Sequence, residues 1–248
     1  MRDPSSLPGW LAARILVIRP DVMVVDKPPG LPLDPGRGGN ASLADWLPLL
    51  QLGKRHLPQP AHRLDTDTAG CLVLGRTKPA LAALGALFAE RRAGKTYWAV
   101  VLGRPGAPGG TLDAPLRKVS TAAAGWRMEA HPAGQPARTA WRLLGASGDG
   151  ALSWLELRPE TGRTHQLRVH CALLGCPILG DPVYAHPSPA PGWPGKGAAM
   201  HLLARSITLP LDPPLAATAP VPPAMAAAFA RCGAAGEATG PVGDVTKV

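Results

Sequence analysis

Between residues 14 and 34 the apolar positions fall in two short runs, in RILVIRPDVMVVDKPPGLPLD, parted by a Pro-Asp turn and closed by a Pro-Pro-Gly loop. Short, β-branched runs bounded by such breakers predict two strands. SLADWLPLLQ (42–51) spaces its apolar residues as a helix does, behind a Ser42 cap. CLVLG (71–75) predicts a short buried strand, and KPALAALGALFAERRA (78–93) an amphipathic helix. Arg91 and Arg92 stand at that helix's C-terminal end, where the dipole favours cations. KTYWAVVLG (95–103), PARTAWRLL (136–144), ALSWLELRP (151–159) and MHLLARSITLP (200–210) predict four further strands. In ALSWLELRP, alternation puts Leu152 and Trp154 on one face and Leu155 and Leu157 on the other, so both faces are apolar. THQLRVHCALLG (164–175) predicts a helix ended by Gly175.

Strands and helices mix without a regular βαβ alternation, which predicts an α+β fold rather than a doubly wound sheet. No internal repeat is visible. From about Pro210 the chain turns Ala- and Pro-rich, and its last stretch has the composition of a flexible tail. The expected organisation is one domain over residues 1–232 and a tail over 233–248.

Composition narrows the class. With 248 residues and 46% hydrophobic content the chain is long enough to bury a core. Lys and Arg number 26 against 17 Asp and Glu, a net charge of +9, which suits a polyanionic partner such as nucleic acid. Cys71, Cys171, Cys176 and Cys232 make no C-x-x-C pair and no zinc-ligand spacing. The N-terminal residues lack the pattern of a signal peptide, and no apolar run is long enough to span a membrane. A reduced, cytoplasmic protein without membrane attachment is expected.

Three polar clusters interrupt the apolar pattern. HRLDTDTAG (62–70) sets Asp65 between His62 and Arg63 on one side and Thr66, Asp67 and Thr68 on the other. GKTYWAV (94–100) puts Lys95 and Tyr97 on one strand face. GRTHQLRVH (162–170) gathers Arg163, His165, Gln166, Arg168 and His170 at the start of the last predicted helix. An ionised Asp can serve as nucleophile, base or electrostatic stabiliser, and a neighbouring guanidinium favours that form. The clusters hold no carboxylate beyond Asp67, so a two-carboxylate glycosidase is poorly supported. Neither a nucleophile elbow nor a Gly-rich phosphate loop is present. Taken singly, Asp65 could be a turn cap, Arg168 an ion-pair partner and Tyr97 a core aromatic. The spacing of His165 and His170 is not a metal-ligand pattern, and no metal is expected.

Together the clusters carry a resemblance. HRLDTDTAG is similar to the H-R-L-D-x-x-T-S-G motif of the RluA family of RNA pseudouridine synthases. VVDKPPGL, KTYWAVVLG and TGRTHQLRVHCALLGCPILGDPVY resemble the family's other motifs in the same order, from about Ile15 to Leu209. The resemblance implies a mixed, largely antiparallel sheet with flanking helices and loops around a central RNA-binding cleft. It implies Asp65 as the catalytic aspartate, Tyr97 as the aromatic that stacks on the target base, and Arg168 as the partner of the catalytic aspartate. It further implies RNA contacts for Arg63, with Lys95, Arg163, His165 and Gln166 as basic and polar neighbours. The implied reaction turns specific uridines of ribosomal or transfer RNA into pseudouridine on a monomer, without cofactor, because the product is an isomer. Ala69 stands where the family has Ser; if that hydroxyl bonds the turn, its loss weakens the turn by about 1 kcal/mol. A non-catalytic RNA-binding protein and a hydrolytic nucleosidase are the rival readings, and product analysis separates all three.

Overall fold

In the computed structural model, residues 7–35, 41–121, 125–185 and 199–234 are described. Most of the expected tail, 235–248, lies outside them. Along the chain run α1 (Gly9–Ala12), β1 (Ile15–Ile18), β2 (Val22–Lys27), α2 (Leu47–Leu50), β3 (Gln59–Pro60), β4 (Ala69–Gly75) and α3 (Lys78–Ala89). Then follow β5 (Gly94–Leu102), β6 (Gly109–Asp113), β7 (Leu116–Thr121), β8 (Gly125–Ala130), β9 (Arg138–Ala146) and β10 (Leu152–Pro159). α4 (Gln166–Leu173), β11 (Leu202–Leu209), β12 (Leu215–Thr218) and α5 (Pro223–Arg231) complete the series. The described residues fall into two compact units, one within Met1–Lys95 and Ala204–Pro220, the other within Thr96–Leu203 and Val221–Thr239.

The first unit orders its strands β1-β2-β4-β11, with β12 on β11 and β3 on β4. β2 and β4 pair antiparallel from Val22 opposite Gly75 to Lys27 opposite Gly70, and every residue of both strands is buried. α3 starts at a Thr77 cap, whose Oγ1 accepts the Ala80 N–H at 3.3 Å. It stops at Ala89, before the two arginines expected inside its last turn. Arg91 instead takes a left-handed conformation (φ 59°) while the Arg92 N–H reaches back to the Leu87 carbonyl at 2.9 Å, as at many helix ends. The predicted helix after Ser42 is broken in two. A 3-10 turn over Leu43–Asp45 is closed by the Ser42 N–H on Asp45 Oδ2 at 2.8 Å, Pro48 stands in the first turn of the short α2, and the left-handed Leu52 (φ 46°) and Gly53 (φ 77°) follow its end.

The second unit orders its main strands β5-β10-β9-β6, all antiparallel, and adds the hairpin β7–β8. The two apolar faces of β10 are both covered. Leu155 and Leu157 pack with Leu167 and Cys171 of α4, while Trp154 meets Trp98 and Phe229 of α5 edge-on. α5, in a stretch that reads only as Ala- and Pro-rich, buries Met225, Ala228 and Phe229 on one side. The result is an α+β fold of largely antiparallel strands with few helices, as expected.

Candidate active site

Asp65 lies on the connection into β4, in the first unit. The Thr68 N–H bonds the Asp65 carbonyl at 3.1 Å, closing a turn. Gly70 then enters β4 at φ 105°, a conformation that costs glycine little and explains its place in the motif. Ala69 is fully buried in this strand. Because β2 and β4 end side by side, Lys27 comes to rest beneath the turn. Its ammonium group is wholly buried and donates to the carbonyls of Thr66 at 2.7 Å, Pro28 at 2.9 Å and Leu31 at 2.9 Å. The Thr66 carbonyl also accepts the Gly30 N–H at 2.9 Å. The backbone beside Asp65 is therefore gripped twice by the DKPPGL loop. Burial pulls the Lys27 pKa down to about 8, against the pull of Asp67, Asp65 and Asp26 in the other direction.

The rest of the turn is similarly organised. The His62 Nε2 accepts the Val73 N–H at 3.0 Å and its ring stacks on Phe88 at 4.5 Å. A ring nitrogen that accepts must be unprotonated, and burial holds the imidazole well below its ordinary range. The nearby Lys95 adds to that effect. Lys95 itself is half-buried, and its pKa is lowered by burial and then by Arg91. Arg63, next to Asp65, is exposed.

The second unit carries the other candidates. Tyr97, on β5, is half-buried against the core that includes Ala99, Leu155 and Leu167. Arg168, on α4, is 4% exposed and makes a bidentate pair with Asp181, Nε to Oδ2 at 2.7 Å and Nη2 to Oδ1 at 2.8 Å. Asp181 Oδ1 also accepts the N–H groups of Val183 and Tyr184 at 2.8 and 3.0 Å. The Tyr184 ring lies 5.1 Å from the Arg168 guanidinium, so that group is fixed on several sides.

The loop before α4 is built around Gln166. Its Oε1 accepts from Thr161 Oγ1 at 2.7 Å and the Arg163 N–H at 3.0 Å. Its Nε2 donates to the Arg138 carbonyl at 2.9 Å and Thr139 Oγ1 at 3.0 Å. Four bonds saturate a buried amide, so Gln166 shapes the loop and has no capacity left for RNA. Arg163 is half-buried and donates through Nε to the Pro136 carbonyl at 3.1 Å. His165 is half-buried in a left-handed conformation (φ 52°) ahead of α4, with Nδ1 2.9 Å from Tyr184 Oη. His170 is buried on Thr139 Oγ1 at 2.9 Å and belongs to the core. Among the described residues no group of three or more His, Cys, Asp or Glu could hold a metal ion, and no helix is long and apolar enough to cross a membrane.

Two residues with clear structural roles at these sites, Lys27 and Asp181, were not singled out by the sequence. Each has a visible signal: a charged residue placed between an apolar run and a proline, in VVDKPP and in ILGDPVY.

Comparisons with known proteins agree with this picture. The RNA pseudouridylate synthase family matches residues 21–173. An uncharacterised RNA pseudouridine synthase of Zymomonas mobilis is 43% identical over 162 residues, 65% of this chain and 73% of the relative. Ribosomal large subunit pseudouridine synthase D of Yersinia pestis is 37% identical over 156 residues, 60% of this chain but only 46% of the relative. The solved structure of human RNA pseudouridylate synthase domain containing 4 superposes with a TM-score of 0.73 at 28% identity, covering 90% of this chain and 94% of that one. The match over residues 21–173, the motif order and the shared fold converge: the chain belongs to the RluA-type RNA pseudouridine synthases, isomerases that act on RNA.

Proposed function

We propose that this chain isomerises specific uridines of ribosomal or transfer RNA to pseudouridine, with Asp65 as the catalytic aspartate. The N1–C1′ bond of the target breaks, the base turns, and a C5–C1′ bond forms. The proton lost from C5 is balanced by one gained at N1, so no cofactor or energy source enters. Asp65 acts at the ribose, which it reaches once the nucleotide has left its stack. Tyr97 stacks on the flipped base with its hydroxyl near the C5 proton, and Arg168 serves as counter-ion to Asp65. Arg63, Lys95, Arg163 and His165 contact the RNA, while Gln166 acts through the loop it saturates. The chain works as a monomer in a cytoplasmic setting, and its four buried, unbridged cysteines favour a reducing compartment.

The observation that carries this reading is the double grip on the Thr66 carbonyl, because it fixes the backbone of the residue next to Asp65 from inside the fold. A turn cap needs no such bracing, whereas a group that must meet a ribose within a fraction of an ångström needs its backbone held by supporting hydrogen bonds. Asp65→Asn keeps the shape and removes the charge. Uridine-containing transcripts treated with it and digested to nucleosides should yield no pseudouridine, while binding persists. Activity within about tenfold of the parent, a barrier change of only ~1.4 kcal/mol, would end the assignment. Free uracil as the parent's product would instead mark a nucleosidase.

A further inference from the structure

Trp126 is 46% exposed. It lies on β8, where the hairpin register sets Met128 opposite Lys118 and Trp126 opposite Ser120, so these four share one face. Toward the base of the hairpin that face is core: Leu116 and Met128 pack with Val169 and Tyr184. Trp126 continues the row outward, past the core, into solvent.

The ring is nonetheless held. It stacks on the His165 imidazole, with centroids 4.9 Å apart and planes 29° apart. His165 is fixed in turn by its 2.9 Å contact with Tyr184 Oη, which also accepts the Met128 N–H at 2.9 Å. On the same hairpin face the Lys118 ammonium group stands 4.9 Å from the Trp126 centroid. The two hairpin strands carry Arg117, Lys118 and Arg127 against Glu129, a balance of +2 from three cations and one anion. Arg117 is paired with Glu129 at 2.9 Å.

Each element of this arrangement narrows the partner. An exposed aromatic alone would suit many protein surfaces, and cations alone would suit the backbone of a duplex. A braced indole with an ammonium at its face suits a strand that offers both a free base and a phosphate, because stacking and charge then act together. Paired bases in a duplex hide their faces and offer the indole nothing. We infer that Trp126, braced by His165 and flanked by Lys118, is a stacking platform for an unpaired base of the RNA substrate. The inference rests on the RNA-modifying reading above, and gives the chain a means of choosing unpaired segments that the catalytic residues do not supply.

Binding of fluorescently tagged oligouridylate, and of an abasic ribose-phosphate strand of equal length, separates stacking from charge. Trp126→Ala should weaken oligouridylate about 5- to 150-fold and leave the abasic strand unchanged. Trp126→Phe, which keeps an aromatic face, should stay within about threefold of the parent on both. Lys118→Gln should weaken both strands alike. Parental affinity of Trp126→Ala for oligouridylate would overturn the inference, and so would equal losses on the two strands, which would signal a damaged hairpin or a purely electrostatic effect. These measurements read binding alone. A parent that makes no pseudouridine yet shows the base-dependent loss overturns the catalytic reading only. A parent that makes pseudouridine without that loss overturns the platform only.

Discussion

Lys27 shows how much one residue can decide. A lysine with no exposed surface loses its hydration, and here three carbonyls replace it. Its pKa in the folded protein is about 8 against 10.5 for the free side chain. Between those values the folded protein binds fewer protons than the unfolded chain, so stability rises with pH through that window. The slope from this one group can reach about 1.4 kcal/mol per pH unit. The buried thiols of Cys71, pushed up to about 12, and Cys171, pushed higher still, act in the opposite direction. The difference between the parent and Lys27→Met isolates the lysine. Urea midpoints measured between about pH 8 and 10 should rise relative to those of Lys27→Met, and parallel curves would mean that Lys27 titrates normally in the fold. The variant should also lose pseudouridine formation, because the Thr66 carbonyl is released on one side.

At the scale of elements, the close approach of α3 to β4 is set by the absence of a side chain. A Cβ on Gly75 would stand 2.8 to 3.0 Å from the Cα, Cβ and N atoms of Leu81, and backbone cannot yield as a side-chain tip can. Gly75→Ala should therefore destabilise the protein by about 1–3 kcal/mol, the usual effect of overpacking. Gly85, on α3 itself, has open space where its Cβ would go. Gly85→Ala should stabilise by up to about 1 kcal/mol through helix propensity alone. Opposite signs in urea unfolding are the expected result, and two changes of the same sign would contradict the packing described. The elements also mark where sequence pattern reaches its limit. β2, β4, β5, β10 and α4 follow from local periodicity and breakers. The split of the helix after Ser42 follows from Pro48, and the end of α3 from Arg91 taking a position that glycine usually fills. α5 carries only a short apolar stripe, and Phe229 gains its meaning from Trp98 and Trp154, which lie far away in sequence.

For the whole molecule the governing quantity is charge. A net +9 over 248 residues favours association with RNA through counterion release. The logarithm of affinity for a single-stranded transcript should fall linearly with the logarithm of salt concentration. Each lost phosphate contact should flatten the slope by about 0.7. Arg63→Gln, which alters an exposed residue beside Asp65, should produce one such step. A salt-independent affinity, or an unchanged slope in Arg63→Gln, would remove that residue from the RNA surface.

What the sequence determined by itself is whatever depends on neighbours along the chain. Strand and helix type and the order of four motifs are all local properties. They were enough to place the fold class and the family. What only the tertiary structure decided depends on residues far apart. Lys27 reaches Thr66 across 39 positions, Arg168 is locked by Asp181, and Gln166 spends all four of its hydrogen bonds inside the fold. The physical reason is that a polar side chain's role is set by its burial and by the partners left to it. Those partners are fixed only when strands distant in sequence come to lie side by side.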